Sequence, residues 1–322
     1  MEFPRTALNI QRGLALLMLA LVLGVAIVER GSPLASRVRS NSPWPFWLSV
    51  REPGRAAAAL HLGVYNPLRR TLVLILIPEA TKLQGKLTAA RVYVDALRAT
   101  DDASSAARAV VDLAQIKISA LSLEPISWEG AGRLDLELEA DEEDDEPAVA
   151  AARVLKARGR SPRALWSLAR HAAAGLSHGD RAAADALLLA LELRLTPLEG
   201  LEPAVLPEDD AAPAFLARAF TSQPEPRNDE KAIVVEVLNG TSAAGLAAQA
   251  AKILRLQGMD AMVMGQTPRP RSRTVIYDRI GDFDRAARVR AALGCPTAIA
   301  MTRIDALRGV DASVELGGDC AF

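Results

Sequence analysis

The residues that could act in catalysis or bind a metal are three histidines, two cysteines and a run of acidic residues. His61, His171 and His178 stand in no His-Glu-x-x-His pattern, and the chain has no Cys-x-x-Cys and no Gly-x-Ser-x-Gly. The sequence therefore contains no motif for a catalytic zinc site or for a serine hydrolase. We expect no catalytic residue and no bound metal. His171 and His178, predicted on a helix and in the loop after it, fit exposed or capping roles.

The acidic run is residues 141–146, which read DEEDDE. Carboxylate oxygens bind Mg²⁺ and Ca²⁺, but a calcium loop spaces its ligands and this run does not. Consecutive carboxylates repel one another and are typical of a solvated loop. We interpret the run as such a loop.

Two glycines in the last third of the chain suggest a phosphate-binding loop. Gly240 and Gly245 are followed by Leu246 and Ala247, however, where a Walker loop needs Lys and then Ser or Thr. A Rossmann-type glycine triplet is also absent from the sequence. We therefore interpret Asn239-Gly240 as a turn between a strand and a helix.

The overall charge gives no electrostatic footprint for nucleic acid, since the formal net charge is −1 and the pI is about 6.4. Arg269, Arg271 and Arg273 form a local basic loop among prolines. Such a loop could meet an anionic polymer or lipid phosphate, although an exposed loop without a ligand is the commoner outcome. We expect no nucleic-acid partner.

Residues 13–28, GLALLMLALVLGVAIV, contain no charge and predict a transmembrane anchor after a cytoplasmic segment at 1–12. A helix of this length spans about 24 Å, close to a bilayer core, and residues before it could extend it. A cleaved signal peptide and a buried core helix are the alternatives. We favour an uncleaved single anchor because no clear cleavage pattern follows.

Residues 29–54 contain four prolines and several serines and arginines, which predict an extended tether. Trp44, Phe46 and Trp47 interrupt this composition. Aromatic side chains beside basic ones fit either the headgroup zone of a membrane or packing beneath the next domain.

The C-terminal ninety or so residues alternate between strand and helix signals. Strands are predicted at 233–238, 261–264, 273–277, 297–301 and 312–316, and helices at 243–257 and 283–293. The order β-α-β-β-α-β-β predicts a compact α+β domain with two helices on one face of a small sheet. Thr241 or Ser242 is expected to cap the first helix and Asp282 the second. Arg285, Arg288 and Arg290 are expected to be solvated.

This segment resembles the C-terminal domain of the LytR type, which follows LytR-CpsA-Psr (LCP) domains in bacterial envelope proteins. The match begins at VEVLNGTSAAGLAAQAAKIL, continues through TVIYDR and DRAARVRAAL, and ends at VDASVELGGD. The resemblance implies a binding or positioning module at 231–322 and places it outside the cytoplasm. Cys295 and Cys320 both lie in this module, and an oxidising compartment would permit them to form a disulfide.

Residues 55–210 predict a layered α/β domain, joined to the C-terminal module by a Pro-rich linker at 211–230. The continuous aliphatic run at 71–77 predicts a strand buried on both faces, and 60–64 predicts another. Helical patterning follows, and the predicted helices are 89–98, 103–113, 148–158, 162–174 and 181–195.

The order of blocks in 55–210 resembles a diverged LCP domain. LCP domains transfer glycopolymers from polyprenyl-pyrophosphate carriers, using arginines on the pyrophosphate and a metal-binding acidic group. By resemblance, Lys86, Arg158 and Arg160 would bind an anionic ligand. The first family block, Ile-Pro-Arg-Asp-Thr, has Glu79 and Ala80 at its charged positions here, so an arginine and an aspartate are lost.

The sequence of residues 281–288 is similar to a later LCP block that is missing from 55–210. It falls in the C-terminal module, so we do not assign it to catalysis.

These observations lead to two hypotheses of different classes. The first is a single-pass membrane protein whose outer domains bind or scaffold envelope glycopolymer without catalysis and without a cofactor. The second is an active transferase, which would need Mg²⁺ for the diphosphate leaving group. Under either hypothesis the partners are the lipid bilayer, an envelope glycopolymer, a polyprenyl-phosphate lipid or other envelope proteins. An apolar tunnel with basic groups at its mouth in 55–210 would favour a lipid carrier.

Overall fold

The computed structural model describes residues 32–51, 58–137, 147–177, 182–197, 200–208, 210–221 and 232–320. The helices in this part of the chain are α1 Pro33–Arg39, α2 Ala89–Thr100, α3 Ala103–Leu121, α4 Pro147–Arg160, α5 Pro162–Ser177, α6 Ala182–Leu195, α7 Ala212–Phe220, α8 Leu246–Leu256 and α9 Phe283–Leu293. The strands are β1 Trp44–Arg51, β2 Ala59–Asn66, β3 Thr71–Ile77, β4 Lys82–Gln84, β5 Leu87–Thr88, β6 Gly132–Glu137, β7 Leu201–Val205, β8 Val234–Asn239, β9 Asp260–Gln266, β10 Val275–Asp278, β11 Ile299–Thr302 and β12 Ala312–Leu316.

One mixed sheet of ten strands runs through both domains, in the order β6-β1-β2-β3-β7-β11-β10-β12-β8-β9. β1, β2 and β3 form an antiparallel meander, whereas β6 and β7 add to it in parallel. β7 of the central domain pairs in parallel with β11 of the C-terminal domain through Ala204 and Thr302. The two domains therefore share a sheet rather than being only tethered.

The central domain has helices on both faces of the sheet, as a layered α/β domain requires. Alternate side chains of β3 serve the two cores: Val73 and Ile75 face α2, α3 and α7, whereas Leu72 and Leu74 face α1, α4 and α6. This confirms the prediction that 71–77 is a strand buried on both faces.

The tether predicted at 29–54 is wrong for its described part, because residues 33–51 form α1 and β1. Pro33 fits the first turn of α1, where its missing N–H costs no helical hydrogen bond, and the Ser32 side chain accepts from Ala35 N at 3.1 Å. The aromatic side chains of β1 are core residues between β2 and β6, with Trp44 and Phe46 fully buried. The proline count was misleading because Pro33 and Pro45 occupy positions that a helix and a strand tolerate.

The linker predicted at 211–230 also contains a helix. α7 has Pro213 in its first turn, and Phe215 and Leu216 bury their side chains in the central core. Apolar burial overrides the Pro-rich composition here, and residues 222–230 lie outside the described part.

The C-terminal domain has the predicted order β-α-β-β-α-β-β, with α8 and α9 against one face of its half of the sheet. The Asn239-Gly240 turn is confirmed: Asn239 Oδ1 accepts from Thr241 N at 3.0 Å and Asn239 Nδ2 donates to Ala243 O at 2.7 Å. The expected Thr241 or Ser242 cap is wrong, because α8 begins after Gly245, whose φ of +82° places it in the left-handed region.

α9 occupies the predicted residues, but two expectations about its charges are wrong. Asp282 stands at the N-cap position without a side-chain capping bond. Arg285 is only 17% exposed and pairs with Asp311 at 2.9 Å and with Asp282 at 3.1 Å. The C-terminal domain uses this arginine to fix the start of α9 against the loop before β12.

The predicted anchor at 13–28 and the acidic run at 141–146 lie outside the described residues. Within the described ranges, no helix is long and apolar enough to cross a bilayer.

Candidate functional site

A cleft of about 1300 Å³ lies at the boundary between the two domains. α4 and β7 form its central-domain wall, and the end of α9 with the loop into β11 forms the opposite wall. Small-molecule sites usually have volumes of about 300–1,000 Å³, so this cleft has room for an elongated ligand.

The cleft is basic. Five cationic side chains line it, against one carboxylate, that of Asp319; the cations are Arg153, Lys156, Arg160, Arg273 and Arg290. Three of the five lie on α4 at positions i, i+3 and i+7, which is one face of a helix. The forked guanidinium groups of the arginines are donors suited to phosphate or carboxylate oxygens.

The floor of the cleft is aliphatic and small. The apolar side chains are contributed by both domains and are Val149, Ala152, Ala157, Leu201, Pro203, Ala287, Ala291, Pro296, Ala298, Ile299 and Ala300. No aromatic ring of the described residues lines the cleft. The site therefore combines cationic groups with an aliphatic surface.

Lys156 shows how the sequence builds this wall. Its side chain is only 3% exposed, and its Nζ donates to Thr196 O at 2.9 Å, just past the end of α6. A buried ammonium needs hydrogen-bond acceptors, and the carbonyls at a helix C-terminus supply both acceptors and a favourable dipole. Lys156 thus fixes α4 to α6 and positions Arg153 and Arg160 on the same face.

The opposite wall is held by a disulfide and by Asp319. Cys295 and Cys320 form the disulfide, with Cα atoms 5.7 Å apart, which ties the loop after α9 to the chain after β12. Asp319 Oδ1 accepts from Thr274 N at 2.7 Å and from Thr274 Oγ1 at 2.9 Å. Cys295, Asp319 and Cys320 lie close enough to suggest metal ligands, but disulfide sulfurs provide no thiolate. We assign this cluster to the cleft wall.

Of the anion-binding residues predicted by resemblance, Arg160 lines the cleft and is exposed. Lys86 is also exposed but lies in the turn between β4 and β5, a separate two-stranded sheet, and does not line the cleft. The Arg158 side chain lies outside the described residues. The structure therefore does not bring Lys86 and Arg160 together.

The sequence analysis did not predict Arg153 and Lys156, although their spacing with Arg160 on one helix was a usable signal. It placed Arg273 in a basic loop that could meet an anionic polymer, and it expected Arg290 to be solvated. Nothing in the sequence indicated that Arg273 and Arg290 lie opposite α4, because only the docking of the two domains brings them there.

An apolar tunnel in the central domain would favour a lipid carrier, but the cavities found inside this domain are too small to form one. The cavity between α6 and the sheet is only about 70 Å³ and is lined mainly by leucines such as Leu48 and Leu189. The core of this domain is thus nearly filled, and the large space lies at the domain boundary instead.

Comparison with known proteins identifies the terminal domain. Residues 232–319 match the family model described as LytR cell envelope-related transcriptional attenuator. These residues form a LytR_C domain. The match covers fewer than half of the 322 residues, so it assigns a domain and leaves the central region unassigned.

The chain is similar to a solved structure titled "Solution Structure of the C-terminal domain of RV0431", with 24% identity over 30% of this chain and 84% of that one, at a TM-score of 0.21. No curated protein matches the chain. The resemblance of 231–322 to a LytR-type domain is confirmed, whereas the LCP resemblance of 55–210 stays a prediction.

Proposed function

We propose that this protein is a membrane-anchored, extracytoplasmic component of cell-envelope glycopolymer assembly that binds a phosphate-bearing ligand without catalysis. The observation that supports this function best is the interdomain cleft, with five cationic side chains above an aliphatic floor. The family description of the LytR_C domain supplies the envelope context.

The chemistry of the cleft favours binding over transfer. Guanidinium groups of Arg153, Arg160 and Arg290 can donate paired hydrogen bonds to phosphate oxygens. The one lining carboxylate, Asp319, already holds the Thr274 backbone and hydroxyl. In the first LCP-like block, Glu79 stands where the family has arginine, and its exposed carboxylate would repel a diphosphate.

Binding to the full chain in detergent tests the proposal. The probes are a glycerol-phosphate oligomer, which represents the polymer, and geranylgeranyl phosphate, which represents a lipid carrier. We expect saturable binding of at least one probe, and Arg160→Ala and Arg290→Ala each to raise Kd about tenfold through loss of charged hydrogen bonds.

Arg98→Ala is the matched control, because Arg98 is 73% exposed on α2 and does not line the cleft. Equal weakening by Arg98→Ala, or no binding of either probe, would contradict the proposal. Mg²⁺-dependent polymer transfer that is lost in Arg160→Ala would establish the transferase alternative instead.

A further inference from the structure

A second cavity lies at the same domain boundary, on the other face of the shared sheet. It has a volume of about 80 Å³. β7 contributes to both spaces because its side chains alternate: Leu201 and Pro203 face the cleft, whereas Glu202 faces the small cavity. The two cavities are therefore separated by one strand pair, β7 and β11.

The small cavity collects opposite charges from both domains around Glu202. The charged groups that line the cavity with Glu202 are Arg69 in the turn before β3, Arg218 on α7, and Asp282 and Asp284 at the start of α9. Asp278 at the end of β10 does not line the cavity but acts on Glu202 electrostatically. Three carboxylates of the C-terminal domain thus meet one carboxylate of the central domain. Arg69 and Arg218 offset part of this charge, and Arg285 pairs with Asp282 at 3.1 Å.

Glu202 pairs through its backbone with Val73 of β3, and its side chain lines the small cavity. Its burial at the boundary raises its pKa to about 7; the nearby Arg69 opposes this shift, and Asp284 and Asp278 reinforce it. Below about pH 7 this carboxyl group is therefore mostly protonated in the docked form, and above it mostly ionised.

The carboxylates across the cavity are held in place. Asp278 is fully buried, and its carboxylate accepts from Gly281 N at 2.9 Å, Ile280 N at 3.0 Å and Thr302 Oγ1 at 3.0 Å. The Arg218 guanidinium donates to the Gly281 carbonyl across the boundary. These bonds hold the Asp278 carboxylate and the Gly281 backbone in place at the boundary.

We propose that this boundary is a pH-sensitive joint, in which proton uptake by Glu202 tightens the docking of the C-terminal domain and proton loss loosens it. The β7–β11 connection consists of a single residue pair, Ala204 with Thr302, so modest repulsion can shift the docking equilibrium.

The direction and window follow from proton linkage. When the domains separate, Glu202 becomes solvated and its pKa returns to its ordinary value of 4.5. Between this value and about 7, the separated form holds fewer protons than the docked form. The docking constant therefore falls by up to about tenfold per pH unit across this window and levels off above it.

Loosening would also change the basic cleft, because each domain supplies one of its walls. This last step rests on the proposed function. The docking equilibrium itself can be measured without any ligand.

Energy transfer between two dyes on the full chain tests the joint. Leu307 and Trp166 are suitable labelling sites for non-natural residues because they are 99% and 74% exposed and lie in different domains. We expect transfer efficiency to change between pH 5 and pH 7.5, to stay at its acidic value in Glu202→Gln, and to follow the native profile in Glu208→Gln. Glu208 is the control because its side chain is exposed after the end of β7 and lines neither cavity.

A profile in Glu202→Gln that matches the native one, or a native profile without pH dependence, would overturn the proposal. Asp284→Asn provides a second variant that leaves Glu202 in place, and it should move the transition to lower pH by removing a repulsive charge. An unchanged transition in that variant would also count against the joint. If transfer responds to pH as expected but geranylgeranyl phosphate and the glycerol-phosphate oligomer do not bind, the proposed function fails and the joint stands.

Discussion

His61 is a buried histidine whose imidazole lies in an apolar environment. It is fully buried on β2 opposite Leu48, and neither imidazole nitrogen has a hydrogen-bond partner among the described residues. Burial lowers its pKa to about 4, and backbone groups such as those of Ala59 and Leu48 oppose this shift only in part. The imidazole is therefore neutral in the folded protein.

This neutral imidazole should make stability depend on pH. The unfolded chain binds a proton near the ordinary pKa of 6.5 whereas the folded chain does not until about 4, so stability falls as pH drops between these values. The loss amounts to about 3 kcal/mol at most. In His61→Leu this contribution should vanish. Urea unfolding of the full chain followed by circular dichroism, at several pH values, would check it.

The difference in unfolding free energy between the native chain and His61→Leu should be constant above pH 7 and should change steadily below pH 6.5. A difference that stays constant down to pH 4 would show that His61 does not titrate as proposed.

At the scale of elements, β1 depends on glycines in both neighbouring strands. Gly63 of β2 pairs with Phe46, and a Cβ added there would lie 2.2 Å from the Phe46 ring. Gly132 of β6 also pairs with Phe46, and a Cβ added there would lie 2.3 Å from the Trp44 ring. The stacked Trp44 and Phe46 rings, 5.1 Å apart, thus lie over glycines on both sides.

Gly63→Ala should therefore destabilise the central domain by about 1–3 kcal/mol, because the ring has no free space to move into. Differential scanning of the full chain would measure the lower midpoint. The double variant Gly63→Ala with Phe46→Leu should recover part of the loss relative to the sum of the single variants. Strict additivity would rule out the steric explanation.

The sequence pattern predicted a helix or strand correctly where its apolar positions are the ones that the fold buries. β3 and α9 have the predicted bounds because an aliphatic run and a helical repeat need no distant partner to be recognised. β1 was missed because its prolines signal an extended tether, and only pairing with β2 and β6 shows that the same residues are core. The cleft was missed for a related reason: Arg273 and Arg290 acquire a common role only through domain docking.

At the scale of the whole molecule, the two domains are coupled through an apolar cluster beside the β7–β11 pair. Val149 of α4 and the partly buried Val205 of β7 pack against Tyr277 and Met301 of the C-terminal domain. Met301 is fully buried in this cluster. The cluster offsets the carboxylate repulsion at the joint and keeps both walls of the cleft together.

Met301→Ala should therefore loosen the boundary rather than unfold either domain. Loss of the buried side chain costs about 2–4 kcal/mol, and this cost falls on docking because the cluster spans both domains. Hydrogen exchange measured by mass spectrometry on the full chain should speed up in residues 147–160 and 201–205. Leu293→Ala is the matched control, since Leu293 lies in the core of the C-terminal domain alone and should accelerate exchange only there. If exchange in β7 and α4 is unchanged in Met301→Ala, the shared sheet holds the domains together without this cluster. The repulsion around Glu202 would then act on a more strongly docked boundary than we propose.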